Sequence, residues 1–107
     1  MSDAEILKRL YATILARKGA DPGVSYSASL LAAGTEKIAK KLGEEAMETA
    51  LAAAGGDKSR IAAESADLLY HLLVLWAHAG VAPEDVWAEL ARREGASGIA
   101  EKQGRKR

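Results

Sequence analysis

A predicted helix of residues 58–79 constrains the fold of this chain more than any other segment. It follows Gly55-Gly56, a helix stop, and Asp57, a good N-cap residue, and it ends before Gly80. Its polar positions fall within one stripe under about 90° wide, and most of the remaining circumference is apolar. These polar positions are Arg60, Glu64, Asp67, His71 and His78. A helix of this kind is buried on several sides, and in a chain of 107 residues we expect a second subunit to complete its burial.

The rest of the sequence favours an all-α fold, because alanine and leucine dominate, β-branched residues are few and phenylalanine is absent. Helical spacing and capping signals predict five helices, at about 3–17, 28–33, 36–54, 58–79 and 83–93. Ser27 and Thr35 are the predicted N-caps of the second and third helices, and Pro83 begins the fifth. We therefore expect a small helical bundle completed by dimerisation, with residues 1–95 as one domain and residues 96–107 as a charged C-terminal tail.

Charge and composition narrow the possible functions. Fifteen basic and fifteen acidic residues give a net charge of zero, which offers no general attraction to nucleic acid or anionic membranes. The absence of cysteine excludes a disulfide framework, a thiol nucleophile and thiolate zinc sites. Residues 68–79 are too few to span a bilayer, and Asp3 and Glu5 stand where a signal peptide requires basic and apolar residues. We expect a cytoplasmic protein without a membrane or nucleic-acid partner.

Two acidic pairs, Glu45/Glu48 and Glu64/Asp67, suggest a metal site. Residues three apart lie on one face of a helix, and both pairs lie about two helical turns from Gly55-Gly56. Antiparallel packing of the third and fourth helices would therefore bring the pairs level. Four converging carboxylates repel each other unless a cation lies among them, and oxygen ligands suit Mg²⁺, which often accompanies a phosphate substrate. Each pair alone is more often a solvated helix face.

Neighbouring residues add three observations. The predicted apolar stripe of the third helix consists of Ile38, Leu42, Ala46, Thr49, Ala50 and Ala53. Glu45 lies at the border of this stripe, whereas Glu44 lies in the middle of the polar face, so Glu45 and Glu48 can turn toward a neighbouring helix more easily. Lys41 lies one turn before Glu45, where a cation could bind phosphate. His71 is open to three interpretations: a substrate contact, a general base or a histidine satisfied within the core.

The two acidic segments, Lys41–Glu48 (KLGEEAME) and Glu64–His71 (ESADLLYH), resemble the paired-helix motif of the all-α NTP pyrophosphatase superfamily. Further segments are similar to the phosphoribosyl-ATP pyrophosphohydrolase family of histidine biosynthesis. These segments are Ser25-Tyr26, Leu31–Thr35 (LAAGT), Ile38 and Ser97–Lys102 (SGIAEK). Their order and spacing extend the resemblance over nearly the whole chain.

The resemblance implies Mg²⁺-dependent hydrolysis of phosphoribosyl-ATP to phosphoribosyl-AMP and pyrophosphate, by a stand-alone enzyme that forms a homodimer or higher assembly. It implies catalytic and metal-binding roles for Glu45, Glu48, Glu64 and Asp67. The candidate substrate contacts are Lys41, Ser25, Tyr26 and His71. Two alternatives remain: a housecleaning nucleoside triphosphate pyrophosphatase with the same chemistry, and a non-enzymatic helical dimerisation module whose acidic stripes are solvated.

Overall fold

The structure is a computed structural model that describes residues 5–95. These residues form five α-helices and no strand, so the all-α prediction is confirmed. The helices are α1 (Glu5–Ala16), α2 (Tyr26–Ala33), α3 (Thr35–Gly55), α4 (Lys58–Ala79) and α5 (Pro83–Arg93). The predicted C-terminal tail, residues 96–107, lies outside the described residues. Between residues 5 and 95, no helix combines the length and apolar character that crossing a membrane requires.

The two longest helices, α3 and α4, form an antiparallel hairpin. Two side-chain hydrogen bonds fix its direction: Thr35 Oγ1 lies 2.8 Å from His78 Nε2 at one end, and Thr49 Oγ1 donates to the Glu64 carbonyl at 3.1 Å nearer the turn. Gly56, with φ of 77°, ends α3 in the left-handed conformation that glycine favours. The predicted antiparallel packing of the two acidic helices is therefore present.

The core lies toward the end of the hairpin that is remote from Gly56, where α1 and α2 pack on it. Its buried members are Ile14, Leu30, Leu31, Ile38, Leu73, Val74 and Ala77. Tyr11 of α1 donates a hydrogen bond to the Val81 carbonyl at 3.0 Å. Trp76 and Trp87 meet edge to face at 5.9 Å and connect α5 to α4.

Among residues 5–95, little packs against the half of the hairpin nearer the turn. Between residues 42 and 70, Ala52 is the one buried residue. Of the apolar stripe predicted for α3, Ile38 is buried and Leu42 and Thr49 are partly buried, whereas Ala46, Ala50 and Ala53 are exposed. The difference arises because α1 and α2 reach only the opposite half of the hairpin.

Helix α2 begins earlier than predicted. Ser25, not Ser27, is its N-cap: the Ser25 Oγ accepts a hydrogen bond from the Ala28 amide at 3.1 Å. The Ser27 hydroxyl instead lies 2.6 Å from the Tyr70 hydroxyl on α4. A tertiary contact thus decides which of two good capping residues begins the helix.

Thr35 is the first residue of α3 rather than its N-cap. Gly34, with φ of 94°, occupies the cap position, and no side chain caps the helix there. One glycine therefore separates α2 from α3. The Thr35 hydroxyl contacts His78 instead of the first turn of its own helix.

Asp57 is the N-cap of α4, as predicted. Its carboxylate accepts hydrogen bonds from the Ser59 hydroxyl and the Ser59 and Arg60 amides, and the hydrogen bond from the Ser59 side chain is the main reason that the pKa of Asp57 is lowered. Because the pKa of this carboxyl is lower in the folded than in the unfolded protein, its ionised form stabilises the fold. This contribution is complete at a pH above the pKa of the unfolded state, and it is lost as the pH falls through the pKa of the folded state.

We therefore expect Asp57→Ala to lower the melting temperature at neutral pH. This difference from wild type should shrink as the pH falls below 3.8, the ordinary value for aspartate. Asp57→Asn is the matched control, because its amide oxygen still caps the helix but does not titrate in this range. Thermal unfolding followed by circular dichroism measures the melting temperatures. A melting-temperature difference between Asp57→Ala and wild type that does not change with pH would refute this prediction.

Candidate metal site on the α3–α4 hairpin

Three of the four predicted carboxylates converge. Glu45 of α3 and Glu64 and Asp67 of α4 each place a carboxylate oxygen within 4.8 Å of the others. Glu45 and Glu64 are partly buried, and Asp67 is exposed. The spacing of three residues aligns Glu64 and Asp67 on one face of α4, and the antiparallel hairpin brings Glu45 opposite them.

The electrostatics of Glu45 show how closely these groups approach. Burial raises the pKa of Glu45, and the negative charges of Asp67, Glu64 and Glu48 raise it further, whereas His71 acts in the opposite direction. Crowding thus disfavours the ionised carboxyl, and a bound cation would relieve that repulsion. The ligand atoms are all oxygens, which fits a hard divalent cation.

Glu48 lies beside the converging group but is not part of it. Its side chain is exposed, yet its charge contributes to the raised pKa of Glu45. Its assignment as a direct metal ligand stays a prediction. An exposed carboxylate at the edge of an acidic group is also placed to accept a proton.

Lys41 lies on the surface of α3, one turn before Glu45. Its Nζ is 3.5 Å from the Glu44 carboxylate, and both side chains remain partly in contact with solvent. Exposed ion pairs of this kind are weak, so Lys41 can exchange this partner for a phosphate oxygen at small cost. The role of Lys41 in substrate binding stays a prediction.

His71 is buried, with 5% of its surface exposed, and both of its ring nitrogens have partners. Nδ1 lies 2.7 Å from the Asp67 carbonyl, and Nε2 lies 3.1 Å from the Tyr26 hydroxyl. Because a carbonyl can only accept, Nδ1 carries a hydrogen, and in the neutral ring Nε2 accepts from Tyr26. This arrangement connects α2 to the backbone of the acidic segment.

Tyr26 and Tyr70 extend this connection into an aromatic group. Their rings stack at 6.0 Å with 20° between planes, and each meets the His71 ring edge to face. Burial raises the pKa of Tyr70, whose hydroxyl pairs with Ser27. Tyr26 has 52% of its surface exposed, so its ring is accessible to a ligand. The sequence did not predict the contact between Tyr70 and Ser27, which forms only once α2 packs on α4.

Ser25 combines two positions. Its hydroxyl caps α2, and the same residue lines a cavity of about 490 Å³ beside the segment that joins α1 to α2. Arg17, Ala20, Asp21 and Val24 complete the lining. The Ser25 oxygen accepts from its own helix but retains a hydrogen to donate, which is compatible with the predicted substrate contact.

Thr49 is a further residue that the sequence did not single out as functional. Its hydroxyl donates toward the backbone carbonyls of Glu45, at 2.8 Å, and of Glu64, at 3.1 Å. These carbonyls belong to two residues of the converging carboxylate group. The hint in the sequence was its place in the apolar stripe of α3, which indicated that it faces a neighbouring helix.

The fold and the acidic group together define a class: an all-α protein whose central hairpin offers an oxygen-rich candidate site for a divalent cation. Comparison with known proteins narrows this class. The family model for phosphoribosyl-ATP pyrophosphohydrolase matches residues 7–94. The chain therefore belongs to the phosphoribosyl-ATP pyrophosphohydrolase family, as the resemblance indicated.

Individual relatives agree with this assignment. A protein of Azospirillum brasilense named phosphoribosyl-ATP pyrophosphatase is 64% identical over 103 residues, which cover 96% of this chain and 93% of the relative. A protein of the same name from Paramagnetospirillum magneticum is 59% identical, over 96% of this chain and 94% of the relative. Another, from Gluconobacter oxydans, is 57% identical, over 94% of this chain and 75% of the relative. Similarity thus extends across nearly the full length of this chain.

Proposed function

We propose that this protein hydrolyses phosphoribosyl-ATP to phosphoribosyl-AMP and pyrophosphate, the second step of histidine biosynthesis. The observation that carries this proposal is the convergence of Glu45, Glu64 and Asp67 within a chain of this family. We further propose that the protein acts in the cytoplasm.

Glu45, Glu64 and Asp67 would hold Mg²⁺, with Glu48 at the edge of the group. When bound, the ion supplies positive charge that neutralises the phosphate oxygens. The three carboxylates come from two helices, so the antiparallel packing of the hairpin would determine where the ion is held.

The chain must also accept a proton. Water adds its oxygen to the α-phosphorus, the bond to the β-phosphate oxygen breaks, and pyrophosphate leaves. A carboxylate takes the proton that the water loses. Glu45 and Glu48 are the candidates, and the one that takes the proton does so instead of binding the ion directly. Glu48 is exposed beside the converging group, where it can contact water.

The remaining predicted residues bind the substrate or orient a residue that does. Lys41 binds phosphate oxygens as a point charge. Tyr26 presents an accessible ring and a hydroxyl oriented by His71, so a substrate base or ribose can contact it directly. His71 acts mainly through Tyr26, since both of its ring nitrogens already have partners. Ser25 donates from the lining of the cavity beside the segment that joins α1 to α2.

The functional unit is proposed to be a homodimer or higher assembly, joined through the uncovered half of the hairpin. Exposed apolar side chains lie there on both helices, including Met47, Leu51 and Leu69. We expect Leu51→Glu to weaken self-association by at least about tenfold, because it replaces an apolar contact worth about 1.5 kcal/mol or more with a charge.

Sedimentation velocity over a range of protein concentrations measures this change. Leu15→Glu, on the exposed side of α1, is the matched control and should leave the assembly intact. Unchanged self-association of Leu51→Glu, or a monomeric wild-type protein, would contradict this interface.

The substrate is tested by pyrophosphate release in the presence of Mg²⁺. Phosphoribosyl-ATP is generated in place from ATP and phosphoribosyl pyrophosphate by the preceding enzyme, with ATP, dUTP and dCTP assayed in parallel. We expect strong preference for phosphoribosyl-ATP. Release from free nucleotides alone would indicate a housecleaning pyrophosphatase, and no release from any substrate by folded protein would favour the helical dimerisation module.

A further inference from the structure

We propose that Thr49 is a positioning residue, which fixes the distance between the carboxylates of α3 and those of α4. Its hydroxyl is shared by the backbone carbonyls of Glu45 and Glu64, two residues of the converging group. This proposal rests on the proposed function, because its target is the divalent cation that these carboxylates hold.

The hydrogen-bond chemistry of Thr49 is specific. A threonine hydroxyl has one hydrogen to donate, and each helix carbonyl has a lone pair left after its helical hydrogen bond. The hydroxyl lies 2.8 Å from the Glu45 carbonyl of its own helix and 3.1 Å from the Glu64 carbonyl across the hairpin. The second contact connects the two helices at the level of the carboxylates.

Within one chain, few fully buried side chains connect the two helices at this level, which is why a hydrogen bond between them matters. Ala52 is the one buried residue between residues 42 and 70, so no large side chain that is fully buried within the chain sets the spacing of the helices near the acidic group. Mg²⁺ requires ligand distances of about 2.0–2.1 Å in near-octahedral geometry. A small separation of the helices would move Glu45 away from both Glu64 and Asp67 at once.

Three substitutions separate the hydroxyl from the shape of the side chain. Thr49→Val keeps the branched shape and removes the hydrogen bonds, whereas Thr49→Ser keeps the hydroxyl. Thr49→Ala also removes the hydroxyl but introduces no branched apolar side chain. It replaces Thr49→Val in the experiment if the valine variant does not fold. The matched control is Thr35→Val, which removes the other threonine contact between α3 and α4, the one with His78, at the end of the hairpin remote from the carboxylates.

The measurement is Mn²⁺ affinity without substrate, from electron paramagnetic resonance of free Mn²⁺, at a temperature where every variant is folded. We expect Thr49→Val to raise the dissociation constant about tenfold, the lower end of the range for groups that support metal ligands. Thr49→Ser should restore wild-type affinity, and Thr35→Val should leave it unchanged. The Mg²⁺ concentration for half-maximal turnover should follow the same order, with kcat of Thr49→Val largely recovered at saturating Mg²⁺.

Wild-type Mn²⁺ affinity in both Thr49→Val and Thr49→Ala would overturn the positioning role and leave the metal site intact. Equal loss of affinity in Thr35→Val would also overturn it, because general loosening of the hairpin would then be the cause. Failure of the wild-type protein itself to bind Mn²⁺ would overturn the metal site, and the positioning role with it.

Discussion

Glu64→Gln is expected to lower kcat/KM for phosphoribosyl-ATP by at least about 100-fold, because it weakens the hold on an ion whose charge stabilisation is worth several kcal/mol. Glutamine keeps the shape of the side chain but removes the charge that would attract the cation. Asp67→Asn and Glu45→Gln should act alike, because the three carboxylate oxygens lie within 4.8 Å of one another. Initial rates of pyrophosphate release, at fixed Mg²⁺, measure the change.

The matched control is Glu44→Gln. Glu44 is one residue from Glu45 on the same helix, yet it is exposed and pairs with Lys41, so its loss should change the rate little. Glu48→Gln measures the predicted role of Glu48, and we expect a loss of rate there also. If the variants at Glu45, Glu64 and Asp67 fold and retain near-normal Mg²⁺-dependent turnover, the carboxylate site is wrong.

Leu73→Ala is expected to destabilise the fold by about 2–5 kcal/mol, the usual cost of truncating a fully buried leucine. Leu73 has 1% of its surface exposed, and it packs in the core formed by α1, α2, α3 and α4. A loss of this size is a large part of the about 5–15 kcal/mol that stabilises a typical domain. Urea unfolding followed by circular dichroism, at constant protein concentration, measures the free energy of unfolding.

Leu15→Ala is the control for Leu73→Ala. Leu15 has 42% of its surface exposed on α1, so its truncation should cost much less than that of Leu73. Equal unfolding free energies for Leu73→Ala and wild type would contradict the position of the core.

The bounds of α4 and α5 could be predicted from sequence because local signals determine them. Asp57 caps α4, Gly80 ends it, and Pro83 begins α5. The start of α2 could not be predicted in this way, since Ser25 and Ser27 are both good N-caps. The contact of Ser27 with Tyr70, on a helix far along the chain, decides between them.

The acidic site was predictable to a similar degree. Glu45, Glu64 and Asp67 converge because the two pairs lie level across a tight turn. Glu48 does not join this group, because Thr49 marks the side of α3 that faces α4. At about 100° per residue, Glu45 lies about 40° from Thr49 around the helix, whereas Glu48 lies about 100° away. A spacing of three residues indicates that two side chains share a face of the helix. It does not indicate which of the two lies closer to the neighbouring helix.

The partners of His71 required the three-dimensional structure. Its contact with the Asp67 carbonyl is local to α4, whereas Tyr26 is 45 residues away. Sequence left three interpretations of His71 open. The structure shows a buried ring with both nitrogens partnered, which favours a structural role that orients Tyr26.

The most direct test is to titrate Mg²⁺ into metal-free wild-type protein and to record pyrophosphate release from phosphoribosyl-ATP. This measurement shows whether turnover depends on the ion that the acidic site is proposed to hold. We predict almost no release in the presence of a chelator and a saturable rise in rate as Mg²⁺ is added. An undiminished rate in the chelator, or no release at any Mg²⁺ concentration by folded protein, would contradict a metal-dependent hydrolase built on Glu45, Glu64 and Asp67.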